Sequence, residues 1–204
     1  MKIDQLFEGP YEFRRDAPHI STKEYPSLEG LKRENVALGT MDRYGETFYF
    51  WLSKSHGTAK VTTPGKDDIG QDRQQTVVNI SFQQLPFDLP VSKPLQVYTV
   101  FTDSDYRNRW LAGALYIVLA RYGFSVVSDY HQYNGGVALW KKLATESGAR
   151  KYVVRVWSDE TEDWVKDADG NPIQYNAANL QHEDVWNSLA KRDEATTLLV
   201  LSHQ

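Results

Sequence analysis

The sequence contains no cysteine. A disulfide framework, a thiolate zinc site and a cysteine nucleophile are all excluded by that one absence. Nowhere does it hold a run of roughly 20 apolar residues, the length a helix needs to span a bilayer. The stretch 1–18, MKIDQLFEGPYEFRRDAP, carries charges where a signal peptide needs an unbroken apolar centre. The expectation is a cytoplasmic protein without membrane contact. A basic excess is lacking too: a formal charge of −4 and a pI near 5.7 argue against a chain-wide surface for nucleic acid. The histidines His19, His56, His131, His182 and His203 include no pair at metal-ligand spacing, so no metal is expected. Walker loops, dinucleotide fingerprints and G-x-S-x-G elbows are missing as well.

What is present is a chain able to bury a core. With 204 residues, 41% of them hydrophobic, residues 1–204 are expected to form a single domain. Most of the 6 Trp and 12 Tyr are assigned to that core, since large rings are buried more often than they line surfaces.

Residues 1–35 read as irregular structure with short helices, one of them capped by Ser27 and running through Lys32. From Val36 the pattern changes to strands. Val36 to Met41 and Thr47 to Leu52 flank the turn residues Asp42-Arg43-Tyr44-Gly45, which predicts a hairpin. A short strand from Thr58 to Thr62 is expected to stop at Pro64-Gly65, with a loop to Gln75 and another strand from Thr76 to Phe82. Pro86, Pro90 and Pro94 stiffen the connection that follows.

The most informative segment is Val97 to Leu143. Val97 to Phe101 is apolar or β-favouring throughout, as expected of a strand buried on both faces. Asp103, Ser104 or Asp105 can cap a following helix whose stripe is Leu111, Leu115, Val118 and Tyr122, widened by Ala114 and Leu119 and stopped by Gly123. Ser125 to Ser128 reads as a strand. Asn134 to about Glu146 is a second amphipathic helix carrying Val137, Trp140 and Ala144, ended by Gly148. Lys151 to Trp157 is a third strand and Asp167 to Pro172 a tight turn. His182 to Lys191 reads as a helix capped near Asn179, and Ala195 to Leu201 as a last strand. The predicted class is α/β with a mixed sheet: antiparallel N-terminal strands, then a parallel β-α-β-α-β unit over 97–157.

This order, with Tyr106-Arg107-Asn108-Arg109-Trp110-Leu111-Ala112 directly after a buried strand, resembles the GNAT superfamily of N-acetyltransferases. Ser128-Asp129-Tyr-His-Gln-Tyr-Asn-Gly-Gly-Val-Ala-Leu-Trp140 looks like acetyltransferase-like proteins of bacteriophages. The resemblance spans Val97 through Trp157. It implies acetyl-coenzyme A as cofactor, its pyrophosphate held by backbone N–H groups and side chains over Arg107, Asn108, Arg109, Trp110, Leu111 and Ala112. The pantetheine arm would pair with the backbone of Val97, Thr99 and Val100, where two strands splay. The acceptor would be an amine-bearing small molecule or a protein, in the host cytoplasm if the chain is phage-encoded.

Two residues depart from the family pattern. Trp110 stands where the family has a glycine that lets the backbone approach a diphosphate, and Trp140 stands where many members have a tyrosine acid. Tyr133, or Tyr130, is then the candidate acid. Asp129, at the C-terminal end of a predicted parallel strand, can take a proton from an amine, with His131 relaying it through water. Equally, Asp129 can be a turn residue and Trp140 a core anchor. The alternative function is a degenerate, inactive GNAT-fold phage protein that acts as a virion component or binds a host protein.

Overall fold

A computed structural model describes residues 24–85, 87–129, 134–147, 151–176 and 197–203. The protein is mixed α/β with strands predominating, and its chain divides into two compact units.

The first unit, described over 24–85, 87–88 and 97–122, is a sheet whose first four strands are antiparallel, with two helices. Helix α1 (Leu28–Glu34) starts where the sequence predicts, with the Ser27 hydroxyl accepting from the Gly30 N–H at 3.0 Å. Strands β1 (Asn35–Arg43) and β2 (Glu46–Ser53) form the expected hairpin. Its turn is Tyr44-Gly45, with φ of 57° and 75°, the paired positive values that join two strands most tightly. A bulge between Ala37 and Gly39 leaves Leu38 out of the ladder and sends it into the core.

Strand β3 (Thr58–Lys66) runs through Pro64-Gly65 instead of stopping there, and β4 (Asp72–Gln83) begins four residues before the predicted Thr76. The ladder of β2 on β3 ends at Thr62, so from Pro64 onward β3 pairs with β4 only. That one-sided setting tolerates a residue with no N–H. The loop shrinks to 67–71, organised by Asp67, whose carboxylate accepts from the N–H groups of Ile69 and Gln71. The loop Asp167 to Asn171 repeats this pattern: Asp167 accepts from Asp169 and Asn171, as predicted for a tight turn.

Partial desolvation opposes ionisation of Asp67, but the Gln71 N–H, the Arg73 guanidinium and the Ile69 N–H outweigh it and hold the carboxyl below its ordinary value. A depressed folded value contributes stability above the unfolded carboxylate pKa that is lost as pH falls through the folded one. Asp67→Asn is therefore expected to flatten the acid limb of a stability-versus-pH curve, measured by urea unfolding between pH 2 and 7. An unchanged limb would assign no role to this carboxylate.

Strand β5 (Pro94–Thr102) extends the predicted strand at both ends, with Pro94 at its first position, where a missing N–H is tolerated. It is not buried on both faces: Val97 is 5% exposed, but Tyr98 is 48% and Val100 42% exposed. Its later part, from Val97, belongs to the first unit, whose strand order is β1-β2-β3-β4-β5. Helix α2 (Leu111–Arg121) packs on β3 and β1. Its buried residues are Leu111, Leu115 and Leu119 with Gly113, Tyr116, Ile117 and Ala120. Tyr122, predicted on the apolar stripe, caps the helix half exposed, and Val118 is only partly buried.

The second unit begins with 89–96 and continues from Gly123. Here Pro94, Leu95 and Gln96 of β5 pair in parallel with Ser125, Val126 and Val127 of β6 (Ser125–Val127). After helix α3 (Asn134–Ser147) comes β7 (Tyr152–Ser158), with the short strands β8 (Asp163–Trp164) and β9 (Gln174–Tyr175) antiparallel to it. Within the predicted parallel β-α-β-α-β unit, β6 and β7 share a direction but do not pair with each other. Strand β10 (Thr197–His203) lies between β6 and β7, antiparallel to both. Its Leu198, Leu199, Val200 and Leu201 are 3% exposed or less, a continuous apolar run that satisfies itself only in the middle of a sheet. The Gly148 stop and the 182–191 helix lie outside the described residues.

Candidate functional site

The predicted phosphate loop sits between β5 and α2, and the structure changes its shape. Asp103 does not cap α2. It caps a single 3-10 turn, Ser104–Tyr106, by accepting from the Asp105 N–H at 3.0 Å, and its other oxygen accepts from Gln75 Nε2 at 3.3 Å. The helix starts at Leu111, four residues later than Arg107, so Arg107 and Asn108 lie in an exposed turn. Arg107 Nε donates to the Thr102 carbonyl at 3.4 Å.

Trp110 occupies the N-cap of α2 in the left-handed region, with φ 63° and ψ 23°. That region disfavours any side chain bearing a Cβ, and an indole there is held by its surroundings. The ring turns back over the first turn of the helix: a Cβ built on Gly113 would lie 2.5 Å from the indole Cε2 and Cζ2 atoms. The glycine that allows close approach is thus Gly113, and what approaches it is the protein's own tryptophan.

Sequence reasoning missed the partner of this loop, the β1–β2 turn. Arg109 Nη1 bonds Glu46 Oε1 at 2.6 Å, and Arg43 Nη1 donates to the Arg109 carbonyl at 3.3 Å. The Arg109 guanidinium carbon lies 4.6 Å from the centre of the Tyr106 ring and 5.7 Å from that of Tyr44, while Arg43 stands 4.8 Å from Tyr44. These are cation–π distances. Tyr106 also meets Phe48 edge to face at 6.1 Å. Burial pushes the Tyr106 phenol up, and the nearby Glu46 carboxylate adds to the shift. Donating a hydrogen bond to the Glu46 carboxylate raises Arg109, so the guanidinium stays charged across the ordinary pH range.

Of the remaining predicted residues, Val97 and Leu111 are buried, Thr99 and Ala112 are partly buried, and Val100 is exposed. Asp129 is partly buried just past β6, after Ser128, whose hydroxyl accepts from the Leu199 N–H at 2.9 Å. His131 and Tyr133 lie outside the described residues. Trp140 is 2% exposed on α3. Among the described residues no group of His, Asp and Glu side chains is placed to hold a metal ion, and no helix is long and apolar enough to cross a membrane. No family model matches the sequence, and no curated protein matches it.

Proposed function

We propose that this chain is a GNAT-type protein whose phosphate loop is filled from within, and that it acts by binding another protein instead of transferring an acyl group. The observation that carries this reading is the Trp110 indole resting on Gly113, in the space a diphosphate would need beside the start of α2. Arg109, one of the two arginines of the loop, already holds Glu46. The GNAT likeness itself is supported by the strand pattern, antiparallel through β4 and then parallel between β5 and β6. Fold sets no activity, so the site decides.

The test is calorimetric titration with acetyl-coenzyme A. Wild-type protein is expected to give no heat of binding, and Trp110→Gly to give a measurable one. Binding by the wild type would overturn the closed-loop reading in favour of the second one, an acetyl-coenzyme A dependent N-acyltransferase acting on an amine. One observation favours that second reading. Strand β5 runs on to Thr102 after its last parallel partner at Gln96, leaving Val97, Thr99 and Val100 beyond the register shared with β6. In that case Asp129 and the His131–Tyr133 segment would supply the proton transfers.

A further inference from the structure

Three residues with side chains adopt positive φ within one small region: Tyr44 at 57°, Asn108 at 64° and Trp110 at 63°. Strain of this kind persists only where neighbouring contacts fix the backbone. The contacts here come from the β1–β2 turn. Arg43 grips the Arg109 carbonyl, Glu46 grips its guanidinium, Tyr44 and Tyr106 lie within cation–π distance of that guanidinium, and Phe48 meets the Tyr106 ring. All of them bear on 106–109, the residues immediately before the strained tryptophan. Helix α2 is anchored separately through buried Leu111, Leu115 and Leu119. The segment able to move thus ends at Trp110.

We propose that the β1–β2 turn is a latch, and that the Glu46–Arg109 bond keeps Trp110 seated over Gly113. Breaking the bond frees 106–110 to relax toward ordinary backbone angles, which lifts the indole from the helix. The pair is within reach of solvent, since its side chains are 29% and 34% exposed. What the lifted indole would admit rests on the closed-loop reading above; the latch does not.

Amide hydrogen exchange on the full chain tests it. Glu46→Gln is expected to speed exchange at Tyr106, Arg109 and Ala114 about tenfold by local opening, with Val78, Ile80 and Leu119 unchanged. Tyr44→Gly should do the same, because glycine fits the turn's positive φ while removing the ring. Unchanged exchange in both variants overturns the latch. A rise spread evenly over β1–β4 overturns it too, since that would report a weakened fold. If wild-type protein binds acetyl-coenzyme A while Glu46→Gln still loosens only 106–114, the closed-loop reading fails and the latch stands.

Discussion

Gly113→Ala is expected to destabilise the first unit by about 2 kcal/mol, although alanine in a helix interior ordinarily gains about 1 kcal/mol over glycine. The sign reverses because the new methyl would lie 2.5 Å from two indole carbons of Trp110. A flexible side-chain tip could move aside cheaply, whereas this ring is rigid and its backbone is already fixed in the left-handed region. Overpacking of that kind costs about 1–3 kcal/mol. In a Trp110→Gly background the obstruction is gone, and Gly113→Ala should then stabilise by about 1 kcal/mol, the ordinary helix value. Urea unfolding of the four proteins gives the coupling directly. Equal destabilisation by Gly113→Ala in both backgrounds would mean the indole does not rest on this helix.

The same region marks where sequence reasoning stops being sufficient. Local signals were legible wherever one residue decides a local bond: Ser27 capping α1, the turn before Glu46, the Asp167 loop, and Gly123 with φ 83° after α2. Apolar runs located β5, β6, β7 and β10, and helical spacing located α2 and α3. What could not be read was set by distant partners. Pro64 looks like a strand end until β4 is known to pair beyond it on one side. Asp103, Ser104 or Asp105 looks like the cap of α2 until Trp110 is known to interrupt the backbone at positive φ. The placement of β10 depends on which neighbours its apolar run finds, and no local pattern encodes that.

The candidate site shows the same division. Arg107, Arg109 and Trp110 stood out by type and position. The neighbours of Arg109 and of Tyr106 before it, namely Arg43, Tyr44, Glu46 and Phe48, are more than 50 residues away and read as nothing beyond a hairpin and its turn. A faint signal existed. Two cations just before a helix N-terminus oppose the helix dipole, so some counter-charge was to be expected nearby. Glu46 is that counter-charge for Arg109.

Trp140 is expected to matter through packing. Trp140 is 2% exposed and shares one face of α3 with Leu143, Ala144 and Ser147, a spacing of three, four and seven residues. This helix packs on β7. Trp140→Ala should therefore remove about 3–5 kcal/mol, the usual cost of deleting a buried indole, and the loss should appear in the unfolding of the second unit. Trp140→Tyr is the sharper comparison, because it supplies the proton donor that the proposed GNAT likeness would call for here. A buried phenol must find a partner for its hydroxyl or lose about 1–3 kcal/mol, so this variant too should be less stable than wild type. If Trp140→Tyr instead keeps full stability and confers thioester turnover with an amine acceptor, the position faces a working site, and a core-anchor role for this tryptophan is wrong.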